Sequence, residues 1–154
     1  MPIKIEHRIG IATPASVIWD VMVDVAGWPQ WCPLYPKAAG EVRFGGALAL
    51  TLAVPGHKPR EIEAVILDWT PDEAIHWKTK GFLIETTRYL EIEKYSETGC
   101  AFSNGEIFSG FGTRYLGRGH YRAHREGFAL LGEGLKARAE ALWRERAGEA
   151  TLAL

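Results

Sequence analysis

Polar side chains interrupt otherwise apolar, regularly spaced faces at four places in this 154-residue chain. His7 breaks the row Ile3, Ile5, Ile9 and Ile11. Arg88 shares a face with Leu90 and Ile92. Asn104 and Glu106 share one with Phe102 and Phe108. Tyr121 and His124 join Phe128 and Leu131 on a stripe of three- and four-residue steps. Charged groups on buried faces are costly unless paired. A wet cavity removes that cost, and a binding site uses it. A single buried histidine is most often a satisfied core residue, but several polar groups on adjoining elements point to a site. Their chemistry would be hydrogen bonding to a ligand, or polarising a carbonyl and moving protons. Leu50, Leu52 and Trp77 would supply apolar wall. Trp31 would join them, because it lies between Pro29 and Pro33 in the segment that would close the cavity.

Other signals carry less. His120 and His124 stand four apart on a helix, a spacing that suits a metal, but no third ligand is evident and no metal or cofactor is expected. Arg114, Arg118, Arg122 and Arg125 form a basic row about 100° from the apolar stripe. It reads first as a solvated face, and in its sharper form as an electropositive rim for a carboxylate or phenolate. Catalytic signatures such as G-x-S-x-G, H-E-x-x-H and a Gly-rich dinucleotide loop are absent from the sequence. With 18 basic and 19 acidic residues and a net charge of −1, nothing favours a nucleic-acid partner. No apolar run approaches the ~18–20 residues of a membrane span. Cys32 and Cys100 are far apart and outside any C-x-x-C pair. Free thiols in a cytoplasmic setting are the expectation.

The elements that must position these groups follow from period. Ile3 to Ile11 alternates as a strand with one buried side. Thr13 reads as the cap of a helix from Pro14 to about Val25. Gly27 to Pro33 allows only a short second helix. Six strands follow up to Ser109, including Ala47–Val54, Arg60–Trp69, Glu73–Lys80, Ile84–Lys94 and Cys100–Ser109, with turn residues between them. Their short connections imply an antiparallel meander. From about Arg118 to Arg146 the period becomes helical. Gly127, Gly132 and Gly134 interrupt that helix at about 1 kcal/mol each relative to alanine. Close approach to the sheet, room for a ligand, or a kink would each account for them. Residues 1–148 read as one α+β domain and 149–154 as a frayed tail.

This order of elements, with particular residues, resembles the helix-grip fold of the SRPBCC superfamily, which includes START domains and polyketide cyclase/dehydrase-like proteins. The matching pieces are Ala15-Ser16-Val17-Ile18-Trp19-Asp20 after the first strand, Asp24-Val25-Ala26-Gly27-Trp28-Pro29-Gln30-Trp31, Glu106-Ile107-Phe108-Ser109-Gly110 at the end of the last strand, and Phe128 with Leu135-Lys136-Ala137-Arg138-Ala139-Glu140 in the final helix. The resemblance implies seven antiparallel strands in the order 1-7-6-5-4-3-2, curved around the long C-terminal helix, with two short helices after the first strand closing a cavity. Two positions before Glu106, where many bacterial relatives carry a histidine, this chain has Asn104.

The leading functional expectation is binding of a small, largely apolar or amphipathic molecule with a polar or anionic group, for carriage, sensing or sequestration. The runner-up is a polyketide cyclase/dehydratase-like enzyme using His7, Arg88, Glu106 and His124. The third is an accessory subunit, marked by a filled core and an exposed apolar patch. Oligomerisation is left open. If Lys94 pairs with Cys100 across the hairpin loop, Ile92 faces Phe102, Leu90 faces Asn104 and Arg88 faces Glu106, with His7 close by on the first strand. A two-residue slip would set Arg88 opposite Asn104 instead.

Overall fold

Alternating apolar residues build one continuous inner face across seven strands. The computed structural model describes residues 2–81 and 83–152. The chain runs β1 (Ile3–Ile11), α1 (Ala15–Val23), a 3-10 turn (Val25–Gly27) and α2 (Trp28–Trp31). Then come β2 (Lys37–Gly40), β3 (Ala47–Leu52), β4 (Arg60–Thr70), β5 (Ala74–Lys80), β6 (Glu85–Ser96) and β7 (Gly99–Ser109). A second 3-10 turn (Phe111–Tyr115) leads into α3 (Arg118–Leu152). The sheet order is β1-β7-β6-β5-β4-β3-β2, with every pair antiparallel. The expected α+β helix-grip architecture is thus present. The final helix extends beyond the stretch set by the apolar stripe, remaining helical to Leu152.

The register of β6 and β7 is the one the hairpin loop implied. Lys94 pairs with Cys100, Ile92 with Phe102, Leu90 with Asn104 and Arg88 with Glu106. The ladder shifts between Lys94 and Ser96, and Ser96 pairs with Gly99 to tighten the turn. Across β1, Ile5 faces Glu106, His7 faces Asn104 and Ile9 faces Phe102. Toward the other edge, Arg88 faces Trp77, which faces Ile66. The outer face carries Lys4, Glu6 and Arg8. Glu6 accepts a hydrogen bond from Tyr89 and pairs with Lys4, and Arg8 pairs with Glu93.

α3 closes the inner face with Phe128, Leu131, Leu135 and Ala139, all essentially buried, while Tyr121 and Leu142 at the ends of the stripe are half-buried. Its glycines mark close approach. A β-carbon at Gly134 would collide with the Trp31 carbonyl oxygen, and one at Gly132 would sit 3.1 Å from His7 Nδ1. The propensity lost at these positions lets α2 and β1 dock on the helix. One local expectation is corrected. Pro14, in extended geometry, is the N-cap residue of α1 and makes no side-chain cap. Thr13 is fully buried, and its hydroxyl donates instead to the Pro14 carbonyl at 3.3 Å. Among the described residues, no helix is long and apolar enough to cross a membrane.

Candidate functional site

Arg88 is the centre of the interior. It is 2 % exposed. Its Nε donates to Tyr35 Oη at 3.0 Å, Nη1 to the Gly105 carbonyl at 2.7 Å and Nη2 to Asn104 Oδ1 at 3.3 Å. The guanidinium lies 4.3 Å from the centroid of the Phe128 ring and 5.4 Å from that of Trp77. Such stacking on ring faces favours a desolvated cation. Asn104 in turn donates Nδ2 to the Phe128 carbonyl at 3.0 Å, tying sheet to helix. Burial pushes the Tyr35 hydroxyl up to about 12, against the opposing pull of Arg88. It therefore stays neutral and accepts from Arg88.

Glu106 is treated differently. Its nearest carboxylate oxygen is 4.0 Å from Arg88 Nε, beyond hydrogen-bond reach, although the group is only 8 % exposed. Among the described residues no donor reaches it. Burial raises its carboxyl to about 7, with Arg88 and then Arg60 pulling the other way. Attraction at this range therefore does not offset desolvation.

Toward the start of α3 the inner face opens. Arg60, Thr79, Thr86, Phe108, Ile84 and His120 border a cleft of about 210 Å³. Thr79 and Thr86 are cross-strand partners, as are Thr86 and Phe108. The His120 and His124 ring centroids are 4.0 Å apart, and both rings meet Phe108 edge-on at 5.2 and 5.4 Å. His124 Nδ1 lies 2.9 Å from the His120 carbonyl. A carbonyl only accepts, so the proton sits on Nδ1 and Nε2 is left an acceptor. Burial drives His124 down to about 4 and lowers His120 too, with repulsion from His57 and Arg60 adding to the effect. Both rings are neutral at pH 7. His120 Nε2 is buried without a hydrogen-bond partner.

The structure gathers Trp77, Arg88, Asn104, Glu106 and Phe128 into one cluster, and places His124 against Phe108 and Phe128. Leu50, Leu52, Leu90, Phe102 and Leu131 are buried in the packed core around it. His7 is half-buried between Asn104 and Gly132, its Nδ1 unpartnered. Trp31 is half-buried against α3 at Gly134. Tyr121 lies apart, in a cleft at the β1 edge with Ile3, Ile5, Arg122 and Arg125. A larger trough, about 870 Å³, is bordered by Ala47, Ala49, Glu63 and Val65 and shares Arg60 and Thr79 with the cleft. Sequence reasoning missed Tyr35, 53 residues from Arg88 and between two prolines. It also missed Arg60, Thr79 and Thr86. Continuing the inner-face alternation from Trp77 and Arg88 would have found the two threonines.

No family model and no curated protein matches the chain. Solved structures do. A START superfamily protein from Mycobacterium smegmatis superposes with a TM-score of 0.75 at 14% identity, covering 90% of this chain and 98% of that one. The Zhui aromatase/cyclase of a Streptomyces species gives 0.72 at 17% identity, covering 91% and 94%. A norcoclaurine synthase point mutant from Thalictrum flavum, in complex with a transition-state analogue, gives 0.67 at 12% identity, covering 92% and 96%. The likeness lies in the backbone, and through it the chain has the helix-grip fold of START-superfamily proteins and of aromatase/cyclases.

Proposed function

We propose that the chain binds a small, largely apolar molecule carrying a polar or anionic group, as a carrier, sensor or sequestering protein. The observation that supports this best is the cleft. It combines an apolar wall of Phe108 and Ile84 with the Arg60 guanidinium, the Thr79 hydroxyl and an unpartnered His120 nitrogen. The buried Arg88 does not take the ligand's anion in this reading, because it does not border the cleft and each of its nitrogens already donates, to Tyr35, Gly105 and Asn104. Arg60 takes that part. At about 210 Å³ the cleft is smaller than the ~300–1,000 Å³ of ordinary ligand pockets, so micromolar affinity is the expectation. Calorimetric titration with 2-naphthoate tests it. Binding should be saturable and weakened roughly fivefold or more in Arg60→Gln, the loss of one charge-assisted hydrogen bond. No binding, or binding indifferent to Arg60, would remove the reading.

Two observations favour alternatives. A carboxyl at about 7 is suited to proton transfer at neutral pH, which supports a cyclase/dehydratase-like activity at Glu106. The packed interior, with Phe111 and Tyr115 exposed at 78 % and 79 %, supports an accessory subunit. Turnover of a cyclisable polyketide-like substrate would favour the first. Failure of every small apolar probe to bind, with retention on a partner through Phe111 and Tyr115, would favour the second.

A further inference from the structure

We infer that Glu106 is the inner half of the binding site and selects a hydroxyl at the buried end of the ligand. The ligand class is then an apolar, preferably aromatic, molecule with a hydroxyl at one end and an anionic or accepting group at the other. This rests on the reading of the cleft as a binding site and adds the identity of the second polar group.

The argument is a count of hydrogen bonds. A buried carboxylate offers about four acceptor positions and is ordinarily met by donors. Glu106 projects from the inner face of β7, and among the described residues nothing donates to it. Its neighbour on β1 is Ile5, which brings no polar atom. Its neighbour on β6 is Arg88, whose three nitrogens are directed at Tyr35, Gly105 and Asn104. A ligand carboxylate here would meet a like charge, and a carbonyl or ether would bring another acceptor. An ammonium would face Arg88 Nε, a like charge near Glu106 at 4.0 Å from its oxygen. A neutral hydroxyl is the group that donates to Glu106 without adding charge beside either residue.

The outer end is the reverse. Arg60, Thr79, Thr86 and His120 border the cleft, and the guanidinium with the Thr79 hydroxyl answers an acceptor or an anion, since the Thr86 hydroxyl donates to the Thr79 carbonyl. Phe108, which borders the cleft, is the next inward-facing residue after Glu106 on β7. Two residues of strand span about 6.6 Å, a distance that a fused aromatic pair can bridge.

Matched naphthalenes distinguish the two ends. Assays at pH 8 keep Glu106 mostly ionised, since burial places it at about 7. The charged and titratable groups that act on it are Arg88, Arg60 and Tyr35. In calorimetry, 6-hydroxy-2-naphthoate should bind roughly tenfold tighter than 2-naphthoate, the worth of one charge-assisted hydrogen bond. The 6-methoxy analogue, which cannot donate, should show none of this gain, and naphthalene-2,6-dicarboxylate should bind more weakly than 2-naphthoate. Glu106→Gln should lose most of the hydroxyl gain while keeping its dependence on Arg60. The methoxy comparison needs no variant, so a folding defect cannot mask the result. Equal binding of the hydroxy and methoxy compounds, or a hydroxyl gain that survives Glu106→Gln, overturns the inference and leaves the cleft standing. If neither naphthoate binds, the binding reading falls and this inference with it.

Discussion

The lower interior and the cleft above it are built on the same strands, yet they differ in how completely their polar groups are bonded. Below, Asn104 joins Arg88 to the α3 backbone, and the guanidinium is bonded at all three nitrogens and packed on Phe128. Across the ladder from Arg88, Glu106 has no donor among the described residues, and at the cleft His120 Nε2 has no partner and neutral His124 keeps a free lone pair on Nε2. Glu106 is the direct cross-strand partner of Arg88, and Thr86 and Phe108 at the cleft lie one inward position further along β6 and β7. A largely bonded polar cluster fixes one packing and has little left to offer a ligand: three of the five Arg88 N–H groups are donated, although Trp77 Nε1 beside it has no partner. An unsaturated one is less favourable on its own and has bonding capacity that a ligand can complete.

The largest expected effect tests the saturated half. Arg88→Met should destabilise the protein by about 3–5 kcal/mol, because it leaves Glu106 without its nearest cation and withdraws a donor from Tyr35, Asn104 and Gly105. Urea unfolding at pH 8 measures it, and a loss under about 1 kcal/mol would break the comparison. Asn104→Ala should follow at about 1–3 kcal/mol, since it removes the bond to the Phe128 carbonyl and one acceptor of Arg88. Phe128→Trp should also destabilise by about 1–3 kcal/mol through overpacking, since the Phe128 ring is 1 % exposed with Arg88 stacked on it.

The unsaturated half should show itself in pH dependence. The folded state raises the Glu106 carboxyl from 4.5 to about 7. Its contribution to stability is therefore fully present below about pH 4.5 and is lost as pH rises through 7. His124 runs the other way. Its folded value falls from 6.5 to about 4, so its contribution holds above pH 6.5 and is lost as pH falls toward 4. Glu106→Gln should therefore become progressively more stable relative to wild type between pH 5 and pH 8. The rise from 4.5 to about 7 sets an upper bound of about 3 kcal/mol on that gain. Thermal unfolding of both proteins across this range measures it. A difference that stays flat with pH would mean that Glu106 is satisfied after all.

The sequence carried the frame well because its signals are local and periodic. Strict alternation placed β1 at Ile3–Ile11, and the loop between Lys94 and Cys100 set the register that puts Arg88 opposite Glu106. It also showed Asn104 and Glu106 on the inner face. Whether those groups would be bonded was not legible. The partner that saturates Arg88 is Tyr35, in an irregular segment with no period to read. The same holds for the space between helix and sheet. The stripe Phe128–Leu131 shows which side of α3 turns inward, but the packing of Arg88 onto Phe128 depends on ring and guanidinium positions that no spacing encodes.

The smallest effect separates the cleft from the basic row. Arg122 is exposed and lies with Tyr121, Ile3 and Ile5 at the β1 edge, whereas Arg60 borders the cleft itself. Screening reduces an exposed charge strongly beyond about 8 Å at physiological ionic strength. Arg122→Glu should then change the affinity for 2-naphthoate by less than about twofold in 150 mM salt and slow association modestly only at low salt. Arg60→Gln should weaken binding in both conditions, because it removes a direct contact. Stopped-flow titrations at two ionic strengths compare the variants. If Arg122→Glu weakened binding as much as Arg60→Gln at 150 mM salt, the anion would sit at the β1 edge, and the contrast between the saturated interior and the open cleft would no longer locate the site.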